Sequence, residues 1–412
     1  MPGSIARNHG ALTVLICFLV AICEGVDLQA AGVAAPHIVP LFGLTPVQTG
    51  WFFSSSTLGL LIGAPLAGWL ADRVGRKLML VISIVVFSLF ALSTAFAFDF
   101  DSLLVVRFAT GIGLGGAAPN LVTLASENSR PDRRGLAVAL MYCGMPLGGA
   151  MASLVTMIGG SDWRDVFYLG GGVPLILVPF VIVALKDSHR EALATRTEQQ
   201  RVGIVRALFG DGRAASTALL WTAFSFILLV MYLLLNWLPS LLVGRGFTRT
   251  VAAQVQIAFN LGGVLGCVVI GRLIDSSYRL IVALASFVAT IAFLLALAAM
   301  PAVTAVAIVV GALVGFGILG NQAMLYAFAP QCYPASVRGT GVGAAVAAAR
   351  LGSLLGPLVA GQLLGAGEDA ATVLYAMLPF VGVGAIAGVT LSVRRMPEFH
   401  AHSPNPVSLS QV

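Results

Sequence analysis

Two carboxylates, Glu24 and Asp27, stand inside an apolar run that extends from Ala11 to about Ala35. A run of about 20 apolar residues suffices to cross a bilayer as a helix. The three-residue spacing places both acids on one helix face. Ionisable groups at such depth are costly and face a bundle interior or a water-filled cavity, where they pair or exchange protons. The chemistry open to this pair is proton uptake and release. The alternative is a structural role, in which hydrogen bonds from the pair fix helix packing. The other fifteen Asp and Glu residues lie in loops, in tails or at the ends of apolar runs.

Two arginines also fall within apolar runs, Arg107 and Arg350. Arg107 and Asp27 have compatible depths, and a salt bridge between them would lower the cost of burying each charge. Arg107 is also a candidate substrate-binding residue, and snorkelling to headgroups is the alternative. Close acids titrate as a coupled pair. An arginine that engages Asp27 leaves Glu24 as the expected proton carrier. Arg350 lies roughly 15 Å from the nearer end of its helix at 1.5 Å per residue, near the limit of snorkelling. A guanidinium there suits a substrate carboxylate, or else backbone carbonyls or a contact that holds helices together. Asn120, Tyr142, Asn236, Trp237, Asn260, Asn321, Gln322 and Tyr326 are further polar or aromatic groups in or near the ends of the runs. Some are expected to line a central cavity, with a stacking face and hydroxyl partners for a ring; any one of them could instead be a helix–helix contact.

The elements that must position these residues are membrane spans. Of 412 residues, 58% are hydrophobic and 10% charged, against about 25% charged in soluble domains. Apolar runs read as helices near 11–35, 50–71, 78–98, 103–124, 136–158, 166–185, 215–238, 251–272, 280–300, 302–326, 340–364 and 372–393. The fold class is therefore an all-α membrane protein with twelve transmembrane helices in two six-helix lobes. The expected divisions are an N-terminal lobe over 1–185, a cytoplasmic linker over 186–214, a C-terminal lobe over 215–393 and a cytoplasmic tail over 394–412. With the N-terminus inside, the cytoplasmic segments hold eighteen Lys and Arg and the external loops only Arg164, Arg245 and Arg249. That is a strong positive-inside bias and puts both termini in the cytoplasm.

The net charge of +6 is spread over short loops, so it reads as topology and not as nucleic-acid binding. The five cysteines form no CxxC pair, and no metal or cofactor is called for. The histidines all read as loop or tail residues, His37 included, which leaves no intramembrane histidine relay. The N-terminal run could pass for a secretory signal, but its two acids and the many later spans argue against cleavage. Neither a nucleophile–base constellation nor a soluble signalling domain is evident, so the chain does not read as an enzyme or a sensor.

The halves echo one another. GWLADRVGRKLML (68–80) follows the second run, and GRLIDSSYRL (271–280) follows the eighth, 203 residues later; Arg134-Gly135 and Arg338-Gly339 precede the fifth and eleventh. Parallel repeats of this kind build two-lobed secondary transporters. The segment G-x-L-A-D-R-x-G-R-K (68–77) resembles the signature loop of the major facilitator superfamily, and RFATGIGLGG (107–116) resembles its fourth-helix motif. The resemblance implies a cytoplasmic latch at Gly68, Asp72, Arg73, Gly75 and Arg76, with Asp275 as the weaker second copy, where Ser276-Ser277-Tyr278 replaces the Gly-Arg pair.

A narrower likeness is carried by EGVDLQAAGVAAP (24–36), PNLVTLASE (119–127), LMYCGMPLGG (140–149) and RGTGVGAAVAAARLGSLLGPLVAGQLL (338–364). These resemble the aromatic acid:proton symporter family over nearly the whole chain. The family's first helix usually reads D-G-x-D, and here Glu24 replaces the first acid. The resemblance implies uptake of an aromatic carboxylate with protons across the inner membrane. A hydroxyphenylpropionate is the expected cargo and a benzoate or hydroxybenzoate the alternative. Lipids and protons are then the other partners, and a monomer is expected. Drug:proton antiport is the lesser rival, because two buried arginines would repel cationic drugs.

Overall fold

The computed structural model describes residues 2–129, 134–158, 162–185, 203–210, 212–274, 278–334 and 337–394. Among the described residues, twelve helices are long and apolar enough to cross a membrane. They are Ala11–Phe42, Pro46–Ala71, Arg76–Thr94, Phe100–Glu127, Ala137–Ile158, Asp165–Ala184, Ala214–Gly244, Arg249–Leu273, Arg279–Ala299, Thr304–Cys332, Arg338–Gly365 and Ala370–Val393, called spans 1 to 12 below. No strand occurs among the described residues. The fifth span is broken at Cys143 into Arg134–Tyr142 and Gly144–Ile158. A short helix, Ile204–Phe209, lies within the stretch read as linker and packs against spans 7 and 11. Its place is fixed by Thr217 Oγ1, which donates to the Leu208 carbonyl at 2.7 Å.

The face that carries Arg73, Arg76, Arg272, Arg279, Arg338 and Arg394 is here called the basic face, and the opposite one the distal face. Turns at the distal face repeat between the halves. Gly43 at φ 60° ends span 1, and Thr45 caps span 2; Gly246 at φ 89° follows span 7, and Thr248 caps span 8. In each turn the next residue's N–H reaches back to the preceding helix, Leu44 to Val39 at 3.0 Å and Phe247 to Leu242 at 3.1 Å. A left-handed glycine with this six-to-one bond stops a helix and satisfies a terminal carbonyl. The threonine hydroxyl then satisfies an orphan N–H of the next helix.

Packing repeats as well. Span 2 lies along span 4 and span 1 along span 5; span 8 lies along span 10 and span 7 along span 11. Close approach depends on glycine. A Cβ on Gly111 of span 4 would run into the Ser56 carbonyl, and one on Gly315 of span 10 into the Phe259 carbonyl. Gly148 against Ile22 and Gly352 against Ser225 form the second matched pair. Small residues let membrane helices gain dispersion contacts that lipid cannot supply.

The lobes meet through the distal part of the bundle. Gly32 of span 1 abuts the backbone of Asn236 in span 7, and Gly50 of span 2 abuts Gly361 of span 11. Phe53 meets Trp237 edge-on at 5.1 Å. Among the described residues, the hydrogen bonds between lobes join Gln29 to span 8 and Ser54 to the Leu354 carbonyl, all away from the basic face. The protein is therefore closed toward its distal face.

One expectation is overturned here. His37 does not lie in a loop, because span 1 runs unbroken to Phe42 with Pro36 and Pro40 inside it. Prolines are tolerated in membrane helices where neighbours satisfy the backbone groups they free.

Candidate functional site

Span 1 brings its two acids to the inside of the bundle. Asp27 is fully buried, and Arg107 of span 4 is 1% exposed, so each charge offsets the cost of burying the other. Arg107 Nη1 donates to Asp27 Oδ1 at 3.0 Å and Oδ2 at 3.1 Å, and Nη2 donates to the Asp27 carbonyl at 3.2 Å. The guanidinium also sits 5.9 Å from the Phe167 ring of span 6. Arg107 is thus held inward and does not snorkel. Space for this face of span 1 comes from Gly25, where a Cβ would strike the backbone of Met145 in span 5.

Glu24 lies one turn nearer the basic face, 2% exposed, and its Oε1 has no hydrogen-bond partner. Arg350 of span 11, across the lobe boundary, acts on it electrostatically. Arg350 Nη1 donates to the Tyr232 hydroxyl of span 7 at 2.7 Å. Tyr142 of span 5 and Tyr326 of span 10 stack across the lobes at 5.8 Å and 28°. Phe224 meets Tyr326 edge-on at 5.0 Å. Arg350, Tyr142, Tyr326 and Gln322 all keep partial exposure. Arg350 begins some twelve residues into its helix, about 18 Å at 1.5 Å per residue. Residual exposure at that depth, beside side chains of both lobes, marks an interlobe space and not the lipid surface.

This cluster combines one arginine, three tyrosine rings and an unpartnered carboxylate. A guanidinium takes a carboxylate by charge-assisted bonds, and the rings offer faces and hydroxyls to an aromatic body. Glu24 is free to take and release a proton without first breaking an ion pair.

The other residues singled out from sequence are scattered. Asn260 joins a second polar group further toward the distal face. Gln29 Nε2 donates to Asn260 Oδ1, Asn260 Nδ2 donates back to Gln29 Oε1, and Gln256 Nε2 donates to that same oxygen, each at 2.9 Å. Gln29 and Gln256 were not anticipated. The available signal was two amides, at 256 and 260, one turn apart on an apolar helix facing a third on span 1. Gly149 makes room for Gln29, since a Cβ there would overlap its amide. Asn120 and Asn236 bond only to their own helices, at the Gly116 and Tyr232 carbonyls. Asn321 donates to Thr290 Oγ1 at 2.9 Å within its own lobe. Trp237 Nε1 donates to the Pro357 carbonyl at 3.0 Å. None of these four hydrogen-bonds to a side chain of the Arg350 cluster. Tyr232 was also missed, because nothing in its spacing distinguishes it from a core tyrosine.

At the basic face, Arg73 lies over the Trp69 ring at 3.7 Å, and Arg76 pairs with Glu127 at the end of span 4. Gly75 turns the chain at φ 95°. Gly68 faces open space. The Asp72 side chain and Asp275 lie outside the described residues.

The Major Facilitator Superfamily profile matches residues 17–357. The chain is 45% identical to the 3-(3-hydroxy-phenyl)propionate transporter of Escherichia coli (strain K12), over 95% of this chain and 96% of that protein. It is 32% identical to the 4-hydroxybenzoate transporter PcaK of Pseudomonas aeruginosa, over 89% and 88%. Among solved structures it is similar to the nucleoside transporter NupG, with TM-score 0.76 and 15% identity over 93% of this chain and 99% of that one. A D-xylose-proton symporter matches with TM-score 0.75 and 18% identity over 94% and 98%. By its twelve spans, its repeated lobes and these likenesses, the chain belongs to the Major Facilitator Superfamily and is a multi-pass membrane transporter of a small molecule, not an enzyme.

Proposed function

We propose that the protein is a monomeric inner-membrane symporter that takes up an aromatic carboxylate with protons. The cargo on this reading is 3-(3-hydroxyphenyl)propionate or a related phenylpropionate. The observation that carries it is Arg350, bonded to Tyr232 at the lobe boundary, beside stacked Tyr142 and Tyr326 and within electrostatic reach of Glu24. The relatives at 45% and 32% identity are transporters of a hydroxyphenylpropionate and a hydroxybenzoate, both phenolic carboxylates. The basic face is cytoplasmic by the positive-inside rule, so both termini are inside. The lobes are residues 1–185 and 215–393, joined by 186–214 and followed by a tail at 394–412.

The cycle runs by rocking of the lobes around a midplane site. Outside, Glu24 takes a proton and the substrate carboxylate engages Arg350. Both events neutralise buried charge and lower the cost of occlusion. The lobes rock to the arrangement seen here, closed outside, and proton and acid leave inside. One proton with one monovalent anion moves no net charge, so the pH gradient alone drives it, at about 1.4 kcal/mol per pH unit. A second proton, through Asp27, would add about 2.3 kcal/mol per 100 mV. On this reading Arg73, Arg76 and Glu127 brace the cytoplasmic ends of spans 2 to 4.

Uptake of labelled 3-(3-hydroxyphenyl)propionate into membrane vesicles under an imposed inward pH gradient tests the reading. Accumulation that collapses with a protonophore is expected. Uptake no greater than the protonophore control defeats it. Preference for 4-hydroxybenzoate would move the cargo to the shorter acids, whose relatives are also similar to this chain.

A further inference from the structure

Span ends from both lobes enclose a cavity of about 230 Å³ near the distal face. His37 of span 1 and Arg249 at the start of span 8 give it a polar side, and Val33, Met157 and Pro239 give it an apolar one. Among the described residues, the Arg249 side chain makes no hydrogen bond or ion pair. His37 Nδ1 is shut off from solvent and has no partner. The cavity lies one to two turns above the Gln29–Gln256–Asn260 amides, on the same two helices.

We propose that this cavity is a second, outer site for an aromatic carboxylate, which binds only while the lobes are closed on this face and so holds them closed. The inference rests on the aromatic-acid reading above. The unpaired guanidinium provides the carboxylate partner, and an aromatic ring fills the apolar wall, which a hydrated inorganic anion would leave unused. His37 lines the same cavity beside the guanidinium. Val33 and His37 belong to one lobe and Pro239 and Arg249 to the other, so rocking toward the outside pulls the site apart. A ligand that binds one of two conformations shifts the population toward it. Excess external substrate therefore slows its own uptake.

Isothermal titration of the detergent-purified full chain with 3-(3-hydroxyphenyl)propionate, in wild type, Arg249→Gln and Arg350→Gln, tests this. Two classes of site are expected in wild type. Arg249→Gln weakens the outer class by about tenfold, the scale of one lost charge-assisted bond, and Arg350→Gln removes the other. A single class sensitive only to Arg350→Gln overturns the outer site and leaves the transport reading standing. A single class sensitive only to Arg249→Gln overturns Arg350 as the substrate's partner and, with it, the second-site proposal; no binding likewise removes both. In right-side-out vesicles, the wild-type uptake rate should pass through a maximum and fall as external acid rises, while Arg249→Gln saturates without falling. A decline that persists in Arg249→Gln overturns the closing role. Arg249 is exposed on the surface, so its replacement leaves the fold intact.

Discussion

Arg107 grips Asp27 three times, at both carboxylate oxygens and at the backbone carbonyl of the same residue. The ion pair therefore fixes the rotation of span 1 as well as neutralising its charge. Span 1 carries Glu24 one turn away, so that rotation sets which way the unpartnered carboxylate points.

The two partners should not be equivalent under mutation. Arg107→Gln leaves a carboxylate that can neutralise itself by taking a proton, whereas Asp27→Asn leaves a buried guanidinium that cannot lose one. Breaking a buried pair costs about 3–5 kcal/mol when a charge is stranded. Asp27→Asn is therefore expected to lower the thermal unfolding midpoint in detergent more than Arg107→Gln. The double variant should recover part of the loss. Equal midpoints for the single variants would contradict this account.

Tyr232→Phe removes the acceptor of the Arg350 bond and nothing else from the core. A hydrogen bond to a charged group contributes about 1.5–3 kcal/mol. The KM for aromatic-acid uptake should rise by about tenfold or more, with membrane insertion unchanged. An unaltered KM would show that Arg350 needs no positioning.

Glu24→Gln should abolish proton-driven accumulation and spare energy-independent exchange of labelled for unlabelled acid. The carboxamide keeps the shape of the side chain but cannot shuttle a proton. Wild-type accumulation in this variant would take Glu24 out of the coupling mechanism.

Gln29→Leu removes every member of the amide group's interlobe bonding to span 8. Interhelical hydrogen bonds in membranes contribute about 0.6 kcal/mol each on average, up to about 1.7. The population should shift away from the state closed at the distal face. A cysteine placed at Thr250 should then react faster with an impermeant thiol reagent than it does in the parent. The same rate in both backgrounds would exclude the amides as a closing contact.

Gly111→Ala forces a methyl group against the Ser56 carbonyl, and Gly68→Ala points one into open space. Overpacking costs about 1–3 kcal/mol, while Ala in place of an exposed helical Gly gains up to about 1 kcal/mol. Opposite shifts in unfolding midpoint are expected. A loss of transport in Gly68→Ala without loss of stability would tie that position to the rocking motion.

Much of this was legible in the chain because a bilayer imposes simple rules. Apolar runs long enough to span, basic loops on one side and the cost of buried charge gave the spans, and they singled out Glu24, Asp27, Arg107 and Arg350. The pairing of Asp27 with Arg107 could be anticipated because two opposite charges at one depth have few other ways to be neutralised. Tertiary structure alone decided where the uncharged polar groups went. Asn120, Asn236 and Asn321 donate within their own helix or lobe, whereas Gln29 and Gln256, alike in composition, bond across the lobes. An amide finds a partner within one side-chain length in almost any direction, so its partner depends on helix rotation and on which neighbour is glycine. His37 shows the same limit, since only the packed bundle reveals that a helix can run through Pro36 and Pro40.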